Sequence, residues 1–212
     1  MQGYSLISPP VAEPLSLTEV KNHLRYVDDD QDELIDSLIV AARMRVETDT
    51  RRSLLTQTYQ LSLSRFPVGR CAIALNPFLV EEQLLLQRGL SIRNGIHLDH
   101  GPVQSISSFT YVDDNGNEQT LSESDYIFDN NRETEAVIVP AYGTTWPVCR
   151  IQPGAVLIRF VCGYGDTPDA IPEPLKVAMR LLIGTWFQNR ELSIVGVSST
   201  DLPQPATFDA IL

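Results

Sequence analysis

Residues 28–64 read DDDQDELIDSLIVAARMRVETDTRRSLLTQTYQLSLS, and the fold turns on a change of period inside this stretch. In its first part Leu34, Ile35, Leu38, Ala41, Ala42 and Val46 recur at the 3.6-residue spacing of one helix face. That spacing predicts a helix over about 30–52. Asp28, Asp29, Asp30, Asp32 and Glu33 stand at its start, where carboxylates cap free N–H groups and oppose the positive end of the helix dipole. Arg43, Arg45, Arg51 and Arg52 lie toward its end, where cations suit the dipole. The helix is thus acidic at its start and basic at its end. From Thr58 to Ser64 polar and apolar residues alternate with a period of two, which predicts a strand.

Upstream, Ser16-Leu17-Thr18-Glu19 is a capping box, so a short helix is expected from Leu17 to about Arg25. Residues 1–15 carry Pro9, Pro10 and Pro14 and read as an extended arm with little structure of its own. Downstream, short strands are expected at Cys71–Leu75, Ile96–Leu98, Ser105–Val112, Glu118–Leu121, Tyr126–Phe128, Ala136–Val139 and Val156–Cys162. Asp113-Asp114-Asn115-Gly116-Asn117 reads as a hairpin turn, and Gly163-Tyr164-Gly165-Asp166 as a turn that needs positive φ. Pro172-Glu173-Pro174 opens a last helix over about 173–191, with Val177, Leu181, Ile183, Gly184 and Phe187 supplying its apolar faces. Residues 192–212 read as an irregular tail.

The order helices, strands, helix implies an α+β fold. The N-terminal helices and the C-terminal helix should pack together, with an antiparallel β-sheet or small barrel inserted between them in sequence. The expected division is an arm at 1–15, a helical core at 16–56 plus 172–191, a β-rich domain at 57–171 and a tail at 192–212.

Composition narrows the function. The 212 residues are 43% hydrophobic and 20% charged, ordinary for a soluble globular chain. No apolar run approaches the ~18 residues of a membrane span, and the N-terminus has no secretory pattern. Acids outnumber bases 27 to 16, for a net charge of −11, which argues against tight binding of nucleic acid. Cys71, Cys149 and Cys162 are far apart, contain no CxxC pair and read as buried fillers or free thiols.

The motifs for chemistry are thin. On a strand, His97 and Asp99 of His97-Leu98-Asp99-His100 would share a face while His100 points away, and no third metal ligand is evident. Asp28, Asp30 and Asp32 imitate the start of a calcium loop, but Glu33 stands where the glycine belongs and Ile39 where the glutamate belongs. There is no Gly-x-Ser-x-Gly elbow and no phosphate-binding loop. No cofactor is therefore expected. Trp146-Pro147 and Trp186-Phe187 fit either core packing or interface anchors.

Taken in order, several motifs resemble phage head–tail connector (adaptor) proteins. They are Leu17-Thr18-Glu19-Val20-Lys21-Asn22-His23-Leu24-Arg25 with the acid run after it, Gln57-Thr58-Tyr59 with Phe66-Pro67, and Pro102-Val103-Gln104-Ser105-Ile106. Tyr111-Val112-Asp113 with Asn115-Gly116, Trp146-Pro147 and Pro153-Gly154-Ala155-Val156 continue the series. Phe160, Gly163-Tyr164-Gly165, Ile171-Pro172-Glu173-Pro174-Leu175-Lys176 and Trp186-Phe187-Gln188-Asn189-Arg190-Glu191 complete it. Residues 76–95 depart from the family pattern as an insertion, for which an added β-hairpin is the expectation.

The resemblance implies a non-catalytic subunit of the virion neck, made in the host cytoplasm. It implies a closed ring of roughly a dozen copies beneath the portal protein, with genomic DNA passing through without tight binding. A stopper or tail-completion protein would dock on that ring. The two-signed helix then suits subunit contacts through Asp28, Asp29, Asp30, Asp32, Glu33, Arg43, Arg45, Arg51 and Arg52, because a ring contact joins two different faces of one chain. In the tail, Leu192, Ile194, Val195, Val197, Leu202, Phe208, Ile211 and Leu212 are too few to bury one another, so the expectation is docking on the portal, with folding back on the chain's own sheet as the alternative. A small binding domain acting on a host protein, or a hydrolase hidden in the sheet domain, are the rival readings.

Overall fold

The computed structural model describes residues 2–67 and 95–189. Helix α1, Leu17–Leu24, starts where the capping box puts it. The Glu19 amide donates to Ser16 Oγ at 3.3 Å, and the Glu19 carboxylate accepts the Ser16 amide at 2.8 Å. The helix ends at Arg25, whose φ of 55° is left-handed. Helix α2 is Asp32–Thr50 and helix α3 is Glu173–Gln188. The three pack on one another with Leu15, Val20, Leu54, Leu55 and Ile171 in the shared core. Fully burying each such aliphatic side chain stabilises the fold by about 1.5–3 kcal/mol.

Three sequence expectations need correction here. The buried face of α2 is Ile35, Ile39, Ala42 and Val46, spaced four, three and four residues apart, whereas Ala41 is exposed and Leu34 and Leu38 are half-buried. Two adjacent apolar pairs, 34–35 and 41–42, left the phase of the stripe open, and packing chose it. On α3 the buried set is Leu175, Ala178, Met179, Leu182 and Ile183, so Val177 and Leu181 are only half-buried. The acid run does not cap α2, because its N-cap is Gln31 and that side chain makes no capping bond.

The strands are β1 Gln2–Ser8, β2 Gln57–Leu63, β3 Ile96–Leu98, β4 Val103–Val112, β5 Glu118–Thr120, β6 Tyr126–Asp129, β7 Ala136–Pro140 and β8 Val156–Cys162. They form a five-stranded sheet in the order β1-β2-β8-β4-β5 and a three-stranded sheet in the order β3-β7-β6. The sheets are open, so of the two arrangements expected the sheet, not the barrel, is present. The pairs β4–β5, β3–β7 and β6–β7 are antiparallel. At the β4–β5 turn the Asn115 and Asn117 amides both donate to Asp113 Oδ1 at 2.9 Å, and Gly116 takes a φ of 88°.

The N-terminal segment is the largest surprise. Instead of an unstructured arm, residues 2–8 are a strand beside β2. Tyr4 anchors it, donating its hydroxyl to the His97 carbonyl at 3.1 Å and accepting the Asp99 amide at 3.0 Å. The prolines that suggested an arm begin only after the strand ends.

By internal contacts the chain divides into two compact units. The β unit holds the N-terminal strand up to Ile7 and the described part of Thr58–Val161. The helical unit holds Ser8–Gln57 and the chain from Cys162 onward. The strand expected at Cys71–Leu75, the insertion at 76–95 but for Gly95, and the tail at 192–212 lie outside the described residues.

Candidate functional site

The residues expected to carry subunit contacts fall in the helical unit, and the structure sorts them. At the acidic end Lys21 Nζ reaches Asp29 at 2.5 Å and Asp32 at 2.8 Å. The two carboxylates hold the Lys21 ammonium well above its ordinary value. The Tyr26 hydroxyl donates to Asp30. Asp28 and Glu33 are exposed and have no ion-pair partner among the described residues.

At the basic end Arg43 turns inward. Its Nε meets Glu13 at 2.8 Å and its NH1 meets Glu47 at 3.1 Å, with only 11% of the side chain exposed. Glu47 Oε1 also accepts the Leu54 amide at 2.9 Å and the Gln57 side-chain amide at 2.7 Å. Burial pushes the Glu47 carboxyl above its ordinary range, partly opposed by the Leu54 amide, Arg43 and Gln57. Arg45 pairs with Asp49 at 2.7 Å, and Arg52 donates to the Tyr164 hydroxyl at 3.1 Å. Arg51 closes α2 with a φ of 54°, is exposed and has no ion-pair partner among the described residues. The Glu13–Arg43–Glu47–Gln57 network was missed from the sequence. The four-residue spacing of Arg43 and Glu47 was its one visible sign.

The candidates for chemistry have ordinary partners. His97 Nδ1 lies 3.1 Å from Glu135, which also pairs with Arg132. His100 stacks on Tyr59 with ring centroids 4.2 Å apart and meets the Tyr4 edge at 5.2 Å, and burial lowers its pKa. Among the described residues no three His, Cys, Asp or Glu side chains group as metal ligands. Cys162 is buried, its Sγ is 3.1 Å from Ser53 Oγ, and burial pushes its thiol up to about 12. Gly163 takes a φ of 117°, and a Cβ there would overlap the Leu55 carbonyl, so the expected glycine turn has a steric reason.

The aromatic pairs resolve toward packing. Trp146 stacks on Phe66 at 5.1 Å and lies 5.9 Å from Phe109. Trp186 and Phe187 pack against the helical core.

Residues 14–107 match the sequence model of the phage gp6-like head-tail connector protein family. That match takes in α1, α2, β2, β3 and the start of β4. The fold extends the likeness over nearly the whole chain. A chain in the virion of the native gene transfer agent (GTA) particle superposes with a TM-score of 0.68 at 19% identity, over 98% of this chain and 93% of that one. A chain in the neck of the empty GTA particle, computed with C6 symmetry, gives 0.68 at 18% identity over 99% and 94%. One in the neck of the native GTA particle, computed with C12 symmetry, gives 0.57 at 18% identity over 97% and 94%. No curated protein sequence matches the chain. The protein therefore has the fold of chains in these particles. Its resemblance to phage head–tail connectors, first visible in scattered motifs, is matched by the family's own model over residues 14–107.

Proposed function

We propose that this protein is a structural head–tail connector (adaptor) subunit in the neck of a tailed phage or phage-like particle. The observation that carries the reading is the fold shared over 99% of its length with a chain from a GTA particle neck. The family match over 14–107 supports it independently from sequence. In this reading several copies close a ring beneath the portal, lengthen the DNA channel and offer a docking surface to a stopper or tail-completion protein. The C6 and C12 symmetries of the neck structures that hold similar chains favour such a ring. A net charge of −11 suits a conduit that lets DNA pass without holding it. The protein's part is assembly and not turnover, and its place is the virion neck. The C-terminal residues Leu192, Ile194, Val195, Val197, Leu202, Phe208, Ile211 and Leu212 are proposed to meet the portal.

The test is a particle lacking this protein. DNA-filled heads without joined tails are the expected product, seen by electron microscopy and by loss of infectivity or transfer. Normal tailed, active particles would end the proposal. A second arm supplies the chain truncated after Glu191. It should fold but fail to co-purify with portal rings, and wild-type co-purification would refute portal docking by the tail.

A further inference from the structure

The outward face of α2 lies opposite its buried Ile35, Ile39, Ala42 and Val46; it begins at the exposed Glu33 and continues through Ser37, Val40, Ala41, Met44 and Thr48. The last five are exposed, Met44 to 58%, and none of them is charged. The two hydroxyls are turned into the helix's own backbone, Ser37 Oγ donating to the Leu34 carbonyl at 2.6 Å and Thr48 Oγ1 to the Met44 carbonyl at 2.8 Å. The stripe therefore presents methyl and methylene groups to its surroundings. Arg45 flanks it, and the exposed, unpaired Arg51 stands at its C-terminal end.

A matching feature sits at the other end of the helix. The loop between α1 and α2 projects Val27, 87% exposed, with Asp28 beside it. This loop is held in shape. The Tyr26 amide donates to the Lys21 carbonyl at 3.0 Å, the Tyr26 ring meets Phe187 edge-on at 5.4 Å, and Lys21 clamps Asp29 and Asp32. The loop thus holds an exposed aliphatic side chain and an unpaired carboxylate in one fixed arrangement. Helix α2 itself keeps this knob and the stripe apart within one chain, since Val40 and Met44 lie two to three turns of helix after Asp32, roughly 12–18 Å at 1.5 Å per residue, and Arg51 lies about 28 Å away.

We infer that Val27 and Asp28 of one copy seat on the Val40–Met44 stripe of a second copy, with Asp28 facing Arg51 across the contact. The occupant is a second copy of this chain because both halves are present on the one molecule, each with an aliphatic centre, and the acid Asp28 of the knob complements Arg51 at the C-terminal end of the stripe, the end away from Glu33. Two different faces of the same chain meeting head to tail make a heterologous contact, the kind that closes rings. The inference rests on the connector reading and narrows it. Arg43 is spent inside the subunit and drops out of the contact, whereas Met44 and Val27, which charge alone does not pick out, enter it.

The test exchanges charge. Particles are produced with Asp28→Arg, with Arg51→Asp, or with both substitutions in the same chain. Copies per particle are measured by quantitative mass spectrometry and neck microscopy. Each single change should lower the copies in the neck at least about tenfold, because like charges meet at every subunit contact of the ring. The double change restores opposite charges and should return occupancy to within about twofold of wild type. Both positions are exposed, and aspartate tolerates the left-handed backbone at 51, so thermal melts of the purified variants should match wild type. Wild-type occupancy in the single variants overturns the contact, as does a double variant no better than the singles. If those failures come while wild-type protein is present in the neck, the connector reading stands without this contact. Absence of the wild-type protein from purified necks overturns both.

Discussion

The helical unit and the β unit reach their stability by different means. In the helical unit the apolar residues of three helices form one cluster, and a charged chain, Glu13–Arg43–Glu47, runs along its margin and ends on Gln57 and the Leu54 amide. In the β unit aliphatic residues such as Leu61, Leu98, Ile138 and Ile158 are buried, and an aromatic cluster is added to them. Phe66, Phe109, Tyr111, Tyr126 and Trp146 lean on one another with centroids 5.1–6.1 Å apart, and two of these five, Phe66 and Trp146, come from loops and not from strands. A helix buries a face through its 3.6-residue period and a strand through its period of two, as β8 does with Val156, Ile158, Phe160 and Cys162. Large rings brought from the loops add to the packing of the β unit. The helical unit should therefore respond to changes of charge and pH, and the β unit to changes of volume.

The largest effect should come from Phe109→Ala. Its side chain is only 2% exposed and touches three other rings, so the loss should be about 3–5 kcal/mol in a denaturant titration. A loss below about 1 kcal/mol would mean that the aromatic cluster adds little to the stability of the β unit.

Arg43→Met tests the other side of the comparison. It leaves Glu47 buried without its cation and should cost about 2–4 kcal/mol near neutral pH. The sign of the pH dependence follows from the raised Glu47 pKa. A carboxyl whose folded value lies above the unfolded 4.5 binds its proton more tightly when folded. Without Arg43 that value rises further, so the deficit of the variant should be largest above the variant's own value and shrink as pH falls from there toward the wild-type one. A deficit that is flat between pH 7 and 4.5 would separate the network from the charge on Glu47.

The smallest effect belongs to the cap of α1. Ser16→Ala removes the acceptor for the Glu19 amide and should cost about 1 kcal/mol. Hydrogen bonds from Ser16 hold the Glu19 carboxyl below its ordinary 4.5. Stability from that shift is complete above 4.5 and is lost as pH falls through the lower folded value. The variant should therefore lose less on acidification than wild type does, and an acid titration of both proteins followed by circular dichroism checks it.

Local signals made most elements legible. The capping box placed α1 within a residue at its end, the period-two runs placed β2, β3 and β4–β8, and Asn115-Gly116 placed the hairpin turn. These features depend on neighbours in sequence, through backbone hydrogen bonds, steric limits on φ and side-chain spacing. What failed depended on distant partners. Strand β1 was missed because a seven-residue segment becomes a strand only when β2 lies beside it and Tyr4 finds His97 and Asp99. The phase of the α2 stripe was missed because 34–35 and 41–42 allow two faces, and only contact with α1 and α3 selects Ile35 and Ile39.

The candidate surface divides in the same way. The sequence alone established that α2 carries acids at its start and arginines toward its end, because charge is a property of composition and order. Only the tertiary structure decided which of those charges remain for a partner. Lys21 comes from the preceding helix to take Asp29 and Asp32, and Glu13 comes from the segment before it to take Arg43. Ion pairs between groups far apart along the chain form only when packing brings them within a few ångströms, since attraction between exposed charges at longer range is screened by water and salt. That selection leaves Asp28, Glu33 and Arg51 exposed without an ion-pair partner among the described residues, Asp28 in the loop before α2, Glu33 in its first turn and Arg51 at its end.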